Sequence, residues 1–476
     1  MNNRERMLAG RRRIFANNPE SDGKLLDVLK KVMPLHEANA DEIRYLFEYK
    51  SGIQPIRNRI KPIRSEINYK VVENHAREIV DFEVGHVFGS PITLVHKNKQ
   101  NGDEVVDDGN IALLNEMLHE EGRAGKDRRL GECVKTCGVG YRMVIPKREK
   151  GKLAPFDLLY LDPERTFVVR SNDVYQKIIL GVHYVYDDEG QRIFTIYSDK
   201  YRWEIRDKDN ELRVASREFH GLGMVPIVEF RNNDDYMGSF EPVIGLLDAL
   251  NILTSDRLND ISQFVQSLLW LNNCDIDEDE YKELLRLGLI KTKSTQGVQA
   301  DIKYLAEPLN QSGIQMFADY LYKQILQICG VPGRERSTGG NTGDAVKLSD
   351  GWQMAEEKAK NTELLYEESH REELMLIQKI CEIKNSDLKF KLSDVDVKFN
   401  RNKTANLLVK TQGLMNMLQA GIHPRVAISH CDLFSDPQQV YMDSETGGYL
   451  DKWKVLEKVT TDGSEQQVKA EFDGTA

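Results

Sequence analysis

From Leu25 to Tyr49 apolar residues return at three- and four-residue spacing, as Leu25, Val28 and Leu29 and then Ile43, Leu46 and Phe47, which predicts a helix. Pro34 and Gly52 punctuate it. Val71 to Val87 repeats the pattern through Val72, Ala76, Ile79, Val80 and Val84, and Gly85, Gly89 and Pro91 close it. Between Tyr141 and Phe230 the period falls to two. Tyr201, Trp203 and Ile205 alternate with Arg202, Glu204 and Arg206, and apolar runs recur at 156–161, 178–186 and 225–230, so a mostly antiparallel, β-rich region is predicted. Its turns at 187–190 and 207–210 are rich in Asp, Asn and Gly and read as solvated loops rather than ion sites.

Ser239 is the predicted N-cap, and Pro242 a tolerated first-turn residue, of a helix reaching about Leu271. At 1.5 Å per residue that helix would be roughly 45 Å long, more a strut than a core element. Residues 272–308 form a compact insertion with an acidic start, a short helix near Tyr281–Leu287 and a strand at Val298–Leu305. A second helix, Ile314 to Cys329, returns from it and stops at Gly330 and Pro332. The run from Gly333 to Gly343 is too long and Gly-rich for an ordinary connection. A long charged helix is predicted from Asp350 to Lys384, then alternation at Leu388, Phe390 and Leu392, a strand through Val395, Val397 and Phe399, and short helices from Lys403 to Lys458. The polar tail from Thr460 has the composition of a frayed terminus.

Composition narrows the class. A chain of 476 residues exceeds one core, so two or more substructures are expected, and 40% hydrophobic with 30% charged residues is a soluble balance. No apolar run approaches the roughly 18 residues of a spanning helix, and the opening Met1–Arg6 lacks a secretory segment, giving a cytoplasmic expectation without membrane partners. The six cysteines show no paired CxxC spacing, so buried, reduced thiols are expected; Cys133 and Cys137 share a helix face that reads as packing, and His423, His430 and Cys431 form no better ligand set. A net charge of −11 argues against gripping DNA by phosphate neutralisation but suits a surface that a duplex slides past. Arg11, Arg12 and Arg13 form a small basic cluster, and Asp275 to Glu280 an acidic one.

Catalytic motifs fail when tested. Asp275, Asp277 and Asp279 have calcium-loop spacing, yet the sixth position is Glu280 rather than Gly and the twelfth Arg286 rather than Glu. Gly339–Gly343 is followed by Asp344, not by the Lys of a phosphate loop, and no HExxH or GxSxG occurs. The chain therefore reads as a non-enzyme without cofactor or metal. Two other classes stay open: a nucleotide-dependent enzyme of DNA metabolism using the Gly-rich loop, and a structural adaptor without a channel.

Several blocks, in order, carry a resemblance. They are 49–56 (YKSGIQPI), 68–71 (NYKV), 74–81 (NHAREIVD), 85–92 (GHVFGSPI), 223–233 (GMVPIVEFRNN) and 240–251 (FEPVIGLLDALN), with Ser255 and Asn259–Asp260 beyond. Together they resemble the portal, or head-to-tail connector, proteins of tailed bacteriophages, in the branch of siphophages infecting Gram-positive bacteria. The resemblance implies an α+β portal-type fold with a β-rich wing, long stem helices, a small α/β clip and a helical crown, assembling into a ring that is typically of twelve subunits. By position, 1–66 would be an N-terminal helical arm, 67–238 the wing, 239–271 and 309–329 the stem helices, and 272–308 the clip. Residues 330–349 would be the tunnel loop, 350–400 the long helix and wing strands, 401–458 the crown, and 459–476 a flexible tail. One departure is Thr342–Lys347, TGDAVK, where relatives usually read SGxALK, so the tunnel-loop boundaries are open.

The function so implied is a channel at a capsid vertex for packaging and ejecting double-stranded DNA. Implied partners are copies of the chain, viral DNA in transit, the large terminase subunit, capsid and scaffolding proteins and a head-completion adaptor, with assembly in the host cytoplasm and residence in the virion. Arg334, Arg336, Asn341 and Lys347 are the candidates for touching DNA in the tunnel loop, and Asp277, Glu278, Asp279 and Glu280 those for docking terminase and adaptor at the clip.

Overall fold

The computed structural model describes residues 10–19, 21–62, 65–97, 109–148, 151–208, 211–265, 268–272, 301–305, 311–333, 351–400, 407–431, 433–434 and 437–449. The chain divides into two compact units. One comprises Met1–Phe47, Val80–Ser239 and Ala355–Ala476, the other Glu48–Ile79 and Phe240–Met354.

The first unit holds the β-rich region. Strands β1 (Ile14–Ala16), β5 (Thr166–Ser171), β6 (Ile178–Tyr186), β7 (Arg192–Tyr197), β8 (Tyr201–Lys208) and β9 (Glu211–Phe219) form one sheet in the order 1-5-6-7-8-9, antiparallel except for the β1–β5 pair. The period-two pattern has a cause: Trp203 and Ile205 turn inward with Phe167, Val169, Leu180 and Val182, while Arg202, Glu204 and Arg206 stay on the other face. Helix α1 (Asp22–Lys50) covers that inner face with Leu25, Leu29 and Val32. Each such buried side chain contributes about 1.5–3 kcal/mol. The indole N–H of Trp203 donates to Asp22 Oδ1 at 3.0 Å, so its one polar atom is satisfied. Pro34 lies inside this helix and does not interrupt it.

A second sheet, β10 (Ile227–Arg231), β3 (Val139–Pro146) and β4 (Phe156–Leu161), is backed by helix α4 (Arg123–Cys137). Helix α3 (Asn110–Glu120) precedes α4, and a short antiparallel pair joins β2 (Thr93–His96) to β13 (Val395–Lys398). Gly138 ends α4 at φ +86° and turns the chain into β3; a Cβ there would lie 2.1 Å from the Tyr236 carbonyl oxygen. The long helix α7 (Trp352–Lys384) buries Leu374, Ile377 and Ile380.

Charged groups are also buried here. Arg142 on β3 has no exposed side-chain surface and bridges Asp127 of α4 (Nη2 to Oδ1, 2.5 Å) and Glu373 of α7 (Nη1 to Oε2, 2.9 Å). Burial alone would raise the Glu373 carboxyl, but Arg142 and Arg123 hold it far below the usual carboxylate range. Glu83 is a second such centre, accepting from Lys135, Lys358 and the Ser239 hydroxyl; burial opposes its charge, and the two lysines hold its pKa down to about 2. Of the basic cluster Arg11, Arg12 and Arg13, only Arg11 is buried. The cluster lines a cleft with Arg170, Glu229 and Tyr236, and Arg11 is paired with Glu42 at 3.3 Å.

Four sequence expectations change. The helix expected from Val71 begins at His75 (α2, His75–Phe88), leaving 68–74 outside any helix or strand. The helix expected over 239–271 is a 3-10 turn at Glu241–Val243 followed by α5 (Ile244–Val265), and Leu268–Asn272 is a strand, β11. Phe240 is the capping position, and the Ser239 hydroxyl donates to Glu83 instead. Leu388 and Phe390 are buried but lie outside any ladder. Short helices α8 (Leu407–Gln419), α9 (Pro424–His430) and α10 (Pro437–Thr446) follow, two of them opening on the proline that favours a first turn. Cys133 and Cys137 are buried, with Cys133 Sγ 2.8 Å from the Tyr160 hydroxyl and Cys137 Sγ on the Val139 carbonyl, as packing residues would be.

Candidate functional site

The second unit is built on α5 and on α6 (Gln311–Cys329), which pack on each other. Between them β11 pairs antiparallel with β12 (Asp301–Leu305), from Leu268 opposite Leu305 to Asn272 opposite Asp301. This ribbon draws together the two ends of the intervening segment. Helix α6 ends at Gly330, φ +66°, with the Val331 N–H on the Leu326 carbonyl, a glycine-dependent cap.

Polar side chains on α5 take alternate N–H groups of 68–74, the pattern that an extended strap presents. Asn251, Ser255 and Asn259 are fully buried at four-residue intervals. They accept hydrogen bonds from the backbone N–H groups of Glu73 (2.8 Å), Val71 (2.9 Å) and Tyr69 (2.7 Å) respectively. Four helical residues rise about 6 Å and two extended ones about 6.6 Å, so the rungs match. The helix thus supplies the partners that a neighbouring strand would. Asn251 also donates to Gln54, Gln54 to Asn74 and to the Tyr49 carbonyl, and Asn74 to the Lys50 carbonyl. Tyr49 closes the set by donating to Asp248 at 2.9 Å.

These are residues that the ordered sequence blocks contain. Spacing alone shows a polar stripe on a helix; it does not say which backbone the stripe will hold, because the strap is almost two hundred positions away. The remaining candidates stand differently. Asp277, Glu278, Asp279 and Glu280, and Arg334, Arg336, Asn341 and Lys347, lie outside the described residues. The first group falls in the segment whose ends the β11–β12 ribbon joins, and the second follows α6 in the chain. Among the described residues no group of side chains is arranged to hold a metal ion, and no helix is long and apolar enough to cross a membrane.

Part of the surface of α6 is apolar. Met316, Phe317, Tyr320 and Ile328 are all more than half exposed, and Ile252, Leu258 and Ile261 of α5 are partly so. A single chain leaves this surface in water, which is unfavourable in proportion to its area.

Comparison with known proteins gives one family. The model described as "Phage portal protein, SPP1 Gp6-like" matches residues 29–465. A portal protein of Bacillus phage SPP1 is 23% identical over 292 residues, 56% of this chain and 54% of that protein, so the match spans about half the length of this relative. Among solved structures, the neck of an empty GTA particle computed with C6 symmetry is similar at a TM-score of 0.41 and 12% identity, covering 72% of this chain and 85% of that one.

Proposed function

The chain belongs to the SPP1 Gp6-like family of phage portal proteins, and on that premise we propose that copies of it form the ring at a capsid vertex through which double-stranded DNA enters and leaves. The observation that carries the reading is the family match across 29–465, which takes in both units. The exposed apolar residues of α6 support it, since a neighbouring copy would bury Phe317 and Tyr320. Twelve copies, a clip at 272–308 that docks terminase and then the head-completion adaptor, and a tunnel loop at 330–349 are the finer parts of this proposal.

The chemistry required is passage rather than catalysis. A duplex carries about one negative charge per 1.7 Å, so a strongly cationic wall would hold it. With a net charge of −11 the chain keeps contacts brief, and Arg334, Arg336, Asn341 and Lys347 supply local, salt-screened touches. Nothing in the family match supports a nucleotide-dependent enzyme. Electron microscopy of the purified full-length protein tests the proposal: closed rings with a central opening wide enough for a duplex are expected, and open filaments or unassociated monomers at micromolar concentration would overturn it.

A further inference from the structure

Within the second unit, His75 stands at the first turn of α2 with a carboxylate on each ring nitrogen. Nδ1 lies 2.7 Å from Glu78 Oε2 and Nε2 lies 3.1 Å from Glu73 Oε2. Each carboxylate is held by a different helix through its other oxygen. The Thr254 hydroxyl of α5 donates to Glu73 Oε1 at 2.6 Å, and the Tyr322 hydroxyl of α6 donates to Glu78 Oε1 at 3.1 Å. The Tyr322 ring also lies against the imidazole, with centroids 4.5 Å apart. A neutral imidazole carries one N–H, so it can donate to only one of the two carboxylates; its other nitrogen would then set a lone pair against an anion. Donation to both requires the imidazolium.

We propose that His75 is a proton-dependent pin that ties α6 to α5 through Glu78–Tyr322 on one side and Glu73–Thr254 on the other, and that loses one of these ties when its ring becomes neutral. The titratable groups facing it are Glu73 from the extended strap, Glu78 from its own helix and Tyr322 from α6; α5 contributes the Thr254 hydroxyl, which does not titrate in this range. Burial works against the charged ring, yet the hydrogen bonds and charges of the two carboxylates outweigh it and raise the His75 pKa above the ordinary 6.5. The Glu73 carboxyl is lowered, first through its hydrogen bond to His75.

The signs define a window. A raised histidine pKa makes the tie complete below about 6.5 and loses it as pH rises through the folded value. A lowered Glu73 pKa makes its contribution present above the ordinary carboxylate range and lost in acid. The pin is therefore closed in mildly acidic solution and opens as the pH rises through the raised His75 value. The closed-to-open ratio falls by about tenfold for each pH unit that separates the folded His75 pKa from the ordinary one.

The test uses the full-length chain. Exchange of the histidine C2 proton, followed by mass spectrometry across pH, reports the His75 pKa, and amide exchange of peptides from 311–329, corrected for intrinsic rates, reports the attachment of α6. A His75 pKa above 6.5, and α6 protection that drops several-fold between pH 6.5 and 9, are expected. H75F keeps a ring beside Tyr322 but offers no donor, so its α6 should exchange fast at both pH values. If that variant does not fold, Y322F replaces it: His75 should stay elevated while α6 protection weakens. A His75 pKa at or below 6.5 overturns the proposal. So does α6 protection that is flat with pH in the wild type, or a pH dependence that survives in H75F or matches the wild type in Y322F.

Discussion

Replacing Arg142 with methionine removes the guanidinium that bridges Asp127 and Glu373, whose side chains are 5% and 1% exposed. Methionine fills much of the volume, so the loss is mainly electrostatic. Breaking a buried ion pair by deleting one partner costs about 3–5 kcal/mol, because the remaining charge stays desolvated. Arg123, with Nε 3.3 Å from Asp127, offsets part of this, which favours the lower end of that range. The assay is urea unfolding at fixed protein concentration, because association would shift the midpoint by mass action. The pH dependence is the sharper readout. In the wild type, Glu373 is held low, so its stabilisation is present above the unfolded carboxylate value of about 4.3 and is lost as pH falls through the folded one. In R142M the same buried carboxyl has lost its main cation and its pKa moves up, so acid protonates it at little cost. The destabilisation relative to wild type should therefore shrink between pH 7 and pH 4.5, and adding Glu373→Gln should recover a large part at pH 7. A difference below about 1 kcal/mol at pH 7, the scale of an exposed pair, or one that does not change with pH, would refute this account of the network.

Three further outcomes are expected. Ser255→Ala or Asn259→Leu leaves a strap N–H without its acceptor on α5, costing about 1–3 kcal/mol and raising amide exchange at Val71 or Tyr69 first. Gly138→Ala meets both a positive φ and the Tyr236 carbonyl, so the protein should fail to accumulate in soluble form, whereas Gly190→Ala, with open space around its Cβ, should lose only about 1–2 kcal/mol by thermal melting. Replacing Arg334 and Arg336 together with alanine should leave ring assembly unchanged and stability within about 0.5 kcal/mol while lowering DNA packaging; correctly folded monomer that no longer assembles would place these residues in a subunit contact instead.

The β-rich region was legible because Trp203 and Ile205 obey a period set by a single buried face. Helix α5 was legible in its apolar residues but not in its end, since Leu268 and Leu271 continue a helical spacing while pairing as strand with β12. An apolar run that short fits either structure, and the partner that decides lies beyond residue 300. Helix α4 was legible only at its end, where Cys133 and Cys137 share a face. Leu130 and Val134 continue that apolar face, but the first turns bury Arg123 and Asp127 instead, so the period does not extend to the start of the helix. The same limit applies to the ladder on α5 and to His75. A polar residue acquires its role from what the fold sets against it, and neither Glu83 nor Asn259 announces a partner in advance; Ser255 reads in isolation as an indifferent helix residue.

The strap and α5 meet as two rulers of unequal pitch. Each rung along the helix advances about 6 Å and each rung along the extended chain about 6.6 Å, so the two scales slip by roughly half an ångström per step. Four residues of helix also turn about 40° past a full revolution, which carries successive acceptors around the axis. A straight strap keeps pace for only a few rungs, which accounts for a ladder that runs from Glu73 to Tyr69. The arrangement is a vernier with one position of coincidence. Shifting the strap by one residue presents alternate N–H groups to the wrong side, and shifting it by two sets the short Ser255 side chain where an asparagine had reached. Three ordinary polar side chains thereby fix the longitudinal placement of a segment that has no sheet to lock it.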